Sequence, residues 1–511
     1  MRIMKLDKKS LKRNIDQIDF YDTVRKTPLQ KQQQLSERFN NNIYLKREDL
    51  QPVYSFKLRG AYNKLTKLTE KQRMNGVIAA SAGNHAQGVA LGAKKLKCQA
   101  TIVMPVTTPK IKIEAVKQYG AEVILHGESY SDAYVFAKNL SDKNKITFVH
   151  PYDDIDVIAG QGTIAKEIVE NFKPDIDAVF CCVGGGGLLA GVASYFKAIN
   201  PKIKIIGVEA KGAEAMTQSL QKNKIVTLKQ VALFADGAAV KQVGENTFKL
   251  CKENVDEMIV VDNDSICAAI KDVFEDSRTI LEPAGALAVA GIKAYIDKYN
   301  VENQNLIGIA SGANINFDRL RFVAERAEIG EQREALLAVT IPEKPGAFKR
   351  FCNLLGMRNI TEFNYRYADH ANAQIFVGIT IDSAVEIKKI IKDLKQNNLE
   401  AIDLSNNEVA KLHLRHMVGG HAPQAKNELV YRFEFPEKPG ALMNFLEHMG
   451  QNWNISLSHY RNHGADTGRV MVGIQVPTKD KKVFESFLKN LGYPYWDETK
   501  NSGYKLFLGK S

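Results

Sequence analysis

The sequence predicts a large α/β body built on parallel sheets, followed by two small α+β units with a ferredoxin-like order of elements. Two observations lead to this fold class. Across the first part of the chain, short β-rich runs alternate with helical patterns, which is typical of parallel sheets covered by helices. The chain then repeats itself, because PEKPGA begins at Pro342 and again at Pro436. We therefore predict a body of two α/β subdomains over 1–330, and smaller units over 335–406 and 429–503.

The predicted strands of the body are short apolar runs that lead into turns of small or polar residues. In chain order they are IYLKRED (43–49), GVIAAS (76–81), ATIVMP (100–105), AEVILHG (121–127), AVFCCVG (178–184), KIIGVEA (204–210) and LIGIASG (306–312). Helical patterns with Gly or Ala on one face lie between them. The polar and charged segment RAEIGEQRE (326–334) follows the last of these and is predicted to be a hinge.

The two copies of the repeat share one order of predicted elements. A strand leads into PEKPGA and a helix, and an alternating strand pair and a second helical pattern follow. This β-α-β-β-α-β order is the ferredoxin-like arrangement, and proline suits the first turn of the helix. From the repeat alone, two interpretations are equally good: a pair of ligand-sensing units, or an enlarged surface for oligomer formation.

The composition favours a globular protein without a nucleic-acid partner. The 511 residues are 44% hydrophobic and 25% charged, which is a usual balance for soluble proteins. The net charge of +12 comes from lysines dispersed among acidic residues, whereas nucleic-acid binding concentrates basic residues on one face or in one run. No window approaches the ~18 consecutive apolar residues that indicate a membrane span. We expect a cytoplasmic protein that does not associate with membranes.

The start of the chain, MRIMKLDKKSLKR, is its densest basic stretch. Its apolar residues form no continuous run, so it does not have the pattern of a secretory signal. We predict a solvated arm, and a targeting role stays open as the alternative.

Neither the cysteines nor the histidines predict a metal site. The six cysteines show no C-x-x-C spacing and lie mostly in apolar segments, which favours buried, reduced thiols. His413, His416 and His421 lie in LHLRHMVGGH with loose spacing and no carboxylate or cysteine companion, so a zinc site is disfavoured. The stretch alternates like a strand that joins the two repeats.

Lys57 is the first candidate catalytic residue. It lies in YSFKLRG (54–60), between Phe56 and Leu58, where a helix is predicted to begin. Among apolar neighbours a lysine loses solvation, which lowers its pKa and favours the neutral amine. Such an amine can react with an aldehyde to form a Schiff base. On an exposed helix face, Lys57 would instead be one more solvated cation.

Three further loops share one geometry, in which a strand ends, small residues turn and a helix begins. SAGNHAQG (81–88) offers the Asn84 side chain and the free N–H groups of a helix start. The four glycines of GGGGLLAG (184–191) suit a phosphate at a helix N-terminus, without the GK[ST] ending of a nucleotide-binding loop. ASGAN (310–314) presents the Ser311 hydroxyl, which can bond a neutral ring nitrogen. Taken singly, the polar side chains could also be ordinary helix caps.

One molecule combines the groups that these motifs would bind. Pyridoxal 5′-phosphate carries an aldehyde, a phosphate and a ring nitrogen on one ring. SFKLRGA, SAGNHAQG, GGGGL and ASGAN, in this order, resemble the motifs of the fold-type-II, tryptophan synthase β-like pyridoxal-phosphate enzymes. Within them, the chain resembles the threonine/serine dehydratases, and its repeated tail resembles the paired ACT-like regulatory domains of the biosynthetic members. The resemblance covers essentially the whole chain after the basic arm, and the four motifs show no departure from it.

The resemblance implies a role for each matching residue. Lys57 would bind the cofactor's aldehyde covalently and, once released, take the Cα proton of the substrate. Asn84 would contact the 3′-oxygen, Phe56 would pack near the ring, and Ser311 would face the ring nitrogen. Glu282, in LEPAGA, is expected near the ring or the substrate. The cofactor phosphate is expected on Gly184, Gly185, Gly186, Gly187 and Leu188. The substrate is expected on Ser81, Ala82, Gly83 and Asn84.

The implied activity is the deamination of L-threonine to 2-oxobutanoate and ammonia, the committed step of isoleucine biosynthesis, with L-serine as a second substrate. The implied effectors are isoleucine as inhibitor and valine as its antagonist, bound by the tail of a homotetramer. A serine-preferring dehydratase, a racemase and a β-replacement synthase stay open, because they share Lys57 and the phosphate loop. A non-catalytic amino-acid sensor is disfavoured by the intact lysine and glycine loop.

Overall fold

The chain folds into two compact units, Met1–Ala327 and Glu328–Ser511. The structure, a computed structural model, describes residues 7–317, 319–331, 333–367, 371–407, 410, 411, 414–416, 420–436, 440–450, 452–461, 467–501, 504, 505 and 508. The predicted domain boundaries, at the level of single residues, stay predictions. Among the helices of the described part of the chain, none combines the length and the apolar character that crossing a bilayer requires.

The strands of the first unit include every strand that the sequence predicted there. In its described residues they are β1 Leu29–Lys31, β2 Asn42–Arg47, β3 Val77–Ala80, β4 Ala100–Met104, β5 Glu122–Leu125, β6 Thr147–Phe148, β7 Ala178–Cys182, β8 Lys204–Ala210, β9 Glu257–Val261 and β10 Asn305–Ala310. The sequence missed β1, β6 and β9. The first two are only three and two residues long, which is too short for a period-2 pattern to be recognised.

These strands form two sheets. One has the order β1-β2-β10-β7-β8-β9 and is parallel except for β1, and the other has the order β5-β4-β3-β6 and is parallel throughout. β3, β4 and β7 are buried along their whole length, because helices cover both faces of a parallel sheet. β10 pairs with both β2 and β7, so the loops that follow these three strands meet at one edge.

Helices fill the connections of the first unit. They are α1 Lys8–Asp16, α2 Gln33–Arg38, α3 Lys57–Thr66, α4 Glu70–Asn75, α5 Asn84–Lys95, α6 Lys110–Lys117, α7 Tyr130–Asn144, α8 Ile155–Asn171, α9 Gly187–Ile199, α10 Ala215–Gln221, α11 Glu245–Asn254, α12 Asn263–Ser277, α13 Pro283–Tyr299 and α14 Arg319–Gly330. α9 and α13 are buried along most of their length. Their Gly and Ala residues allow the close approach to neighbouring elements that the sequence pattern predicted.

The start of the chain differs from the prediction of a solvated arm. Within α1, Leu11 and Ile15 are buried in the core of the first unit. They lie four residues apart and therefore on one face of the helix. Asp16, at its end, accepts a hydrogen bond of 3.0 Å from the hydroxyl of Tyr195. The prediction missed this apolar pair because basic residues dominate the composition of the stretch. Residues 1–6 lie outside the described residues.

The predicted hinge segment, 326–334, contains the boundary between the two units, between Ala327 and Glu328, and most of its described residues belong to regular elements. α14 continues to Gly330, and a strand begins at Glu334. Arg326 is buried and forms an ion pair with Asp264.

The second unit contains the two predicted ferredoxin-like sets of elements. The first set is β11 Glu334–Pro342, α15 Ala347–Leu355, β12 Ile360–Arg366, β13 Asn372–Thr380, α16 Ala384–Gln396 and β14 Glu400–Asp403. The second set is β15 Glu428–Pro436, α17 Ala441–Met449, β16 Asn454–Arg461, β17 Thr467–Gln475, α18 Lys481–Leu491 and β18 Tyr495–Asp497. Gly346 and Gly440, at the same position of the two PEKPGA copies, precede α15 and α17 with φ values of 87° and 84°. Residues 437–439 of the second copy lie outside the described residues.

The strands of both sets form one antiparallel sheet with the order β14-β11-β13-β12-β16-β17-β15-β18. Each half has the ferredoxin-like strand order, and β12 pairs with β16 to join the halves. Buried apolar side chains of the strands and helices form a core shared by both halves, including Leu337, Phe363, Phe433 and Phe445. The repeat therefore builds one folded unit.

The segment between the two sets is not the predicted strand in its described part. Leu414–His416 forms a short 3-10 turn. Arg415 is buried and lies 3.0 Å from the carboxylate of Glu362 and 3.5 Å from that of Glu334. His413 lies outside the described residues. Elsewhere in the described ranges, no group of three or more His, Cys, Asp and Glu side chains is arranged to hold a metal ion.

Candidate active site

The lysine segment and the loop after β10 are hydrogen-bonded to each other. The N–H of Phe56 donates to the carbonyl of Ser311 over 3.1 Å, and the N–H of Ala313 donates to the carbonyl of Tyr54 over 2.9 Å. Two of the predicted motifs, more than two hundred residues apart in the sequence, are thus neighbours at the carboxyl edge of the larger sheet. This edge is where ligands bind in open α/β sheets.

Lys57 is the first residue of α3, and its amine lies inside this edge. Nζ donates a hydrogen bond of 3.2 Å to the carbonyl of Pro151 and lies 5.3 Å from the centre of the Phe56 ring. Burial lowers the pKa of Lys57 to about 8, although the nearby Cys182 and Glu282 act in the opposite direction. The neutral, nucleophilic amine is therefore accessible near physiological pH.

Asn84, the first residue of α5, is part of a hydrogen-bonded chain of side chains. Its Nδ2 donates to Oε1 of Glu282 over 2.6 Å, and its Oδ1 accepts from Nδ2 of Asn314 over 2.7 Å. Glu282 is buried, and this burial, with the nearby Asp236, raises the pKa of its carboxyl group to about 7. Asn314 is a partner that the sequence did not single out, although it is the last residue of ASGAN.

Ser311 lies buried at the end of β10. Its Oγ accepts a hydrogen bond of 3.2 Å from the thiol of Cys182 and donates one of 3.3 Å to the carbonyl of Ala284. Burial raises the pKa of Cys182 to about 11, so this thiol stays protonated. The sequence predicted Cys182 to be a buried, reduced thiol and did not indicate its contact with Ser311.

The glycine loop connects β7 to α9 in a space that is too small for side chains. A Cβ atom on Gly184 would lie 2.9 Å from the carbonyl oxygen of Ala238, and one on Gly185 would lie 2.2 Å from the ring of Tyr152. Gly186 has a φ of 94°, which favours glycine. The first N–H groups of α9 have no partner within the helix, and such a terminus suits a phosphate.

Ser81, Ala82 and Gly83 form the turn between β3 and α5. The N–H of Gly83 donates to Oγ of Ser81 over 3.2 Å. All three are half-buried, and a Cβ atom on Gly83 would meet no atom within 4 Å. The turn therefore borders open space beside the start of a helix, which is a suitable place for a substrate carboxylate.

Two histidines near Lys57 are neutral and fixed by hydrogen bonds. Nε2 of His85 lies 2.9 Å from the carbonyl of Val149, and burial together with Lys57 lowers the pKa of His85 to about 3. His85, in SAGNHAQG, is thus a packed and hydrogen-bonded residue. Burial also lowers the pKa of His150 to about 4, and the sequence did not single out this residue.

The residues at this edge fit pyridoxal 5′-phosphate. A lysine of lowered pKa, a glycine loop at a helix start and a buried serine hydroxyl lie on neighbouring loops of one sheet. The tight packing of the glycine loop explains why no other residue type would serve there. These are the groups that an aldehyde, a phosphate and a ring nitrogen require.

A second candidate site lies in the second unit. An open groove runs between the end of α15 and the start of α17, over β12 and β16. Apolar side chains dominate its lining, among them Leu355, Ile360, Phe363, Leu442 and Val470. Both repeats contribute to it, so the groove exists only because the two sets of elements share one sheet.

Comparison with known protein families agrees with the two-part organisation. Residues 21–312 match the model of the pyridoxal-phosphate dependent enzymes. Residues 325–414 and 419–508 each match the model described as the C-terminal regulatory domain of threonine dehydratase. The first unit is thus that of a pyridoxal-phosphate dependent enzyme, and the predicted cofactor and fold class are confirmed.

Individual relatives are similar over nearly the whole chain. The biosynthetic L-threonine dehydratase IlvA of Burkholderia multivorans is 56% identical over 96% of this chain and 97% of its own. The corresponding protein of Escherichia coli is 51% identical over 96% and 95%. The solved structure of processed threonine deaminase isoform 2 from Solanum lycopersicum is 50% identical, with a TM-score of 0.62 over 63% of this chain and 88% of its own. The chain belongs to the family of the biosynthetic threonine dehydratases.

Proposed function

We propose that this protein deaminates L-threonine to 2-oxobutanoate and ammonia, with L-serine as a second substrate, in the committed step of isoleucine biosynthesis. The observation that supports the chemistry best is the buried amine of Lys57, with a pKa lowered to about 8, beside a glycine loop suited to a phosphate. The names of the relatives over the full chain support threonine as the substrate.

The predicted residues keep their roles in this proposal. When bound, the cofactor supplies an electron sink for negative charge on the substrate's Cα. Lys57 first holds the cofactor and then takes the Cα proton on Nζ. Asn84, Phe56 and Ser311 orient the ring. The phosphate is held by Gly184, Gly185, Gly186, Gly187 and Leu188, and the substrate by Ser81, Ala82, Gly83 and Asn84.

The reaction first eliminates one water molecule from threonine and then consumes one water molecule in a hydrolysis. Nζ of Lys57 removes the proton from Cα, and the hydroxyl leaves Cβ with a proton as water. The resulting enamine tautomerises to an imine, which one water molecule hydrolyses to 2-oxobutanoate and ammonia. The low pKa of Lys57 suits this step, because a general base is most effective when its pKa is near the working pH.

The tail is proposed to bind isoleucine as an inhibitor and valine as its antagonist. The apolar groove between the repeats supports this, since its lining suits a small aliphatic side chain. A homotetramer in the cytoplasm is the assembly and location that we propose, with the catalytic body over 1–330 and regulatory domains over 335–406 and 429–503. Coupling between the tail and the body would then make isoleucine an allosteric inhibitor.

The testing experiment measures 2-oxobutanoate formation from L-threonine by the full-length holoenzyme while isoleucine is titrated. We expect turnover that isoleucine suppresses. Lys57→Ala should abolish turnover, and Lys67→Ala, at the exposed end of the same helix, should behave as the wild type. Turnover by Lys57→Ala would overturn the assignment of the base. Racemisation without elimination would favour the racemase alternative, since a serine racemase from Dictyostelium discoideum shares the fold at 33% identity and a TM-score of 0.55.

A further inference from the structure

Asp153 caps helix α11 from a distant part of the chain. Its Oδ2 accepts a hydrogen bond of 3.0 Å from the N–H of Glu245, and its Oδ1 accepts from the N–H groups of Asn246 and Thr247 over 2.9 and 3.2 Å. These are among the N–H groups that a helix cannot satisfy internally. A Cβ atom on Gly244 would lie 2.3 Å from Cγ of Asp153, so glycine at this position is needed for the carboxylate to approach.

The first turn of α11 is in turn bonded to the glycine loop. Thr247 is fully buried, and its Oγ1 donates a hydrogen bond of 2.7 Å to the carbonyl of Gly185. A Cβ atom on Gly186 would lie 2.9 Å from Cβ of Thr247. The start of α11 therefore forms the wall behind the middle of the glycine loop, and any shift of this helix would move the loop.

The residues just before Asp153 contact both the glycine loop and the catalytic lysine. The ring of Tyr152 covers Gly185, and the carbonyl of Pro151 accepts the hydrogen bond of Lys57. Nδ1 of His150 accepts from the N–H groups of Tyr152 and Asp153 over 3.2 and 2.8 Å, which holds the segment 150–153 in one conformation.

From these contacts we infer that Asp153 is a positioning residue for the cofactor phosphate. It fixes the glycine loop on one side through the start of α11 and on the other through the Tyr152 ring. The inference rests on the proposed placement of the phosphate on this loop and is independent of the identity of the substrate. Asp153 stands outside the four motifs, and the sequence spacing of 92 to 94 residues to its partners gives no signal for it.

The next residue provides a matched control. Asp154 also caps a helix, since its Oδ1 accepts from the N–H groups of Asp156 and Val157 at the start of α8. It also pairs with Lys64 over 2.8 Å. Both aspartates thus accept backbone hydrogen bonds at helix starts. The backbone partners of Asp154 are in the helix that follows it and its ion pair is to Lys64 in the last turn of α3, whereas the bonds of Asp153 lead to the start of α11 and from there to the glycine loop.

The test compares Asp153→Asn with Asp154→Asn in the full-length holoenzyme. In Asp153→Asn, an amide N–H₂ group would face the N–H of Glu245, so that two donors oppose each other. Loss of a hydrogen bond to a charged group should weaken retention of pyridoxal 5′-phosphate in dialysis about tenfold. Retention of pyridoxal, which lacks the phosphate, should not change. Asp154→Asn should match the wild type with both compounds.

The outcomes separate the inference from the proposals that precede it. Equal retention of pyridoxal 5′-phosphate by Asp153→Asn and the wild type would overturn it, as would an equal loss of both compounds. If the wild type retains pyridoxal as well as its phosphate ester, the placement of the phosphate itself is wrong, whatever the enzyme does with threonine.

A second pair of variants tests the same connection if Asp153→Asn does not fold. Thr247→Val removes the hydroxyl that bonds Gly185 and keeps the size of the side chain, whereas Thr247→Ser keeps the hydroxyl. We expect Thr247→Val to lose pyridoxal 5′-phosphate selectively over pyridoxal and Thr247→Ser to retain it. Selective loss in both variants, or in neither, would contradict the role of α11.

Discussion

Nδ2 of Asn84 donates a hydrogen bond of 2.6 Å to Oε1 of Glu282, which joins the start of α5 to the start of α13 across 198 residues. Gly312 is part of the same contact, because a Cβ atom there would lie 2.6 Å from the same carboxylate oxygen. The start of α5, the start of α13 and the loop after β10 thus meet at one buried carboxyl group, and its protonation state should matter for the stability of the fold.

Glu282→Gln should change how stability depends on pH. The pKa of Glu282 is raised by burial from its ordinary 4.5 to about 7, so the folded protein binds this proton more tightly than the unfolded chain does. The wild type therefore loses stability as the pH rises from about 4.5 to about 7, by about 3 kcal/mol in total. Glutamine keeps the acceptor for Asn84 and does not ionise. As the pH rises over this range, the thermal midpoint of the wild type should fall relative to that of the variant. A constant difference between the two midpoints across the range would contradict the prediction.

The rate of cofactor reloading should follow the ionisation of Lys57. Burial lowers the pKa of this amine to about 8, and only the neutral amine attacks an aldehyde. Reloading of the cofactor-free full-length protein should accelerate as the pH rises to about 8 and then level off, as followed by visible absorbance. A rate that continues to rise toward pH 10 would mean that Lys57 is solvated and ionises like an ordinary lysine.

Gly185→Ala and Gly83→Ala should separate a crowded glycine from an open one. A Cβ atom at 185 would lie 2.2 Å from the Tyr152 ring, whereas one at 83 would meet no atom within 4 Å. Gly185→Ala should lower the thermal midpoint and release the cofactor, because overpacking costs about 1–3 kcal/mol. Gly83→Ala should leave the thermal midpoint and the retention of the cofactor unchanged and should alter only the KM for threonine. Equal behaviour of the two variants would show that the glycine loop is not closely packed.

Arg59→Leu should destabilise the body strongly. Arg59 is fully buried between the carboxylates of Glu48 and Glu167, at 2.7 and 2.6 Å, and the two carboxylates raise its pKa further. Its removal leaves an uncompensated buried charge, which costs about 3–5 kcal/mol. Arg321→Leu removes an ion pair to Glu325 in which the arginine is 70% exposed, and it should change stability by less than about 0.5 kcal/mol. Denaturation midpoints of the two variants check this difference.

The sequence predicted the repeated parts of the fold well and the isolated parts poorly. The strands before the four motifs were found because each is an uninterrupted apolar run, and the PEKPGA copies gave the order of elements in the tail. The described part of the basic arm was predicted wrongly, and the helix in the polar segment 326–334 was missed, for a common reason. Leu11 and Arg326 are buried by tertiary contacts, and local composition does not report which charged segment finds a partner.

The sequence by itself determined the class of the protein, because the lysine segment, the glycine loop and the serine loop are each continuous stretches with their own chemistry. Only the tertiary structure decided how they work together. Asn314 bonds Asn84 from the loop after β10, Cys182 bonds Ser311 from the end of β7, and Asp153 bonds the start of α11, each with a partner that is distant in the chain. A hydrogen bond depends on distance in space, which the order of residues does not contain. The tertiary structure also sets the pKa of Lys57, since this pKa depends on how completely the folded chain excludes water from the amine.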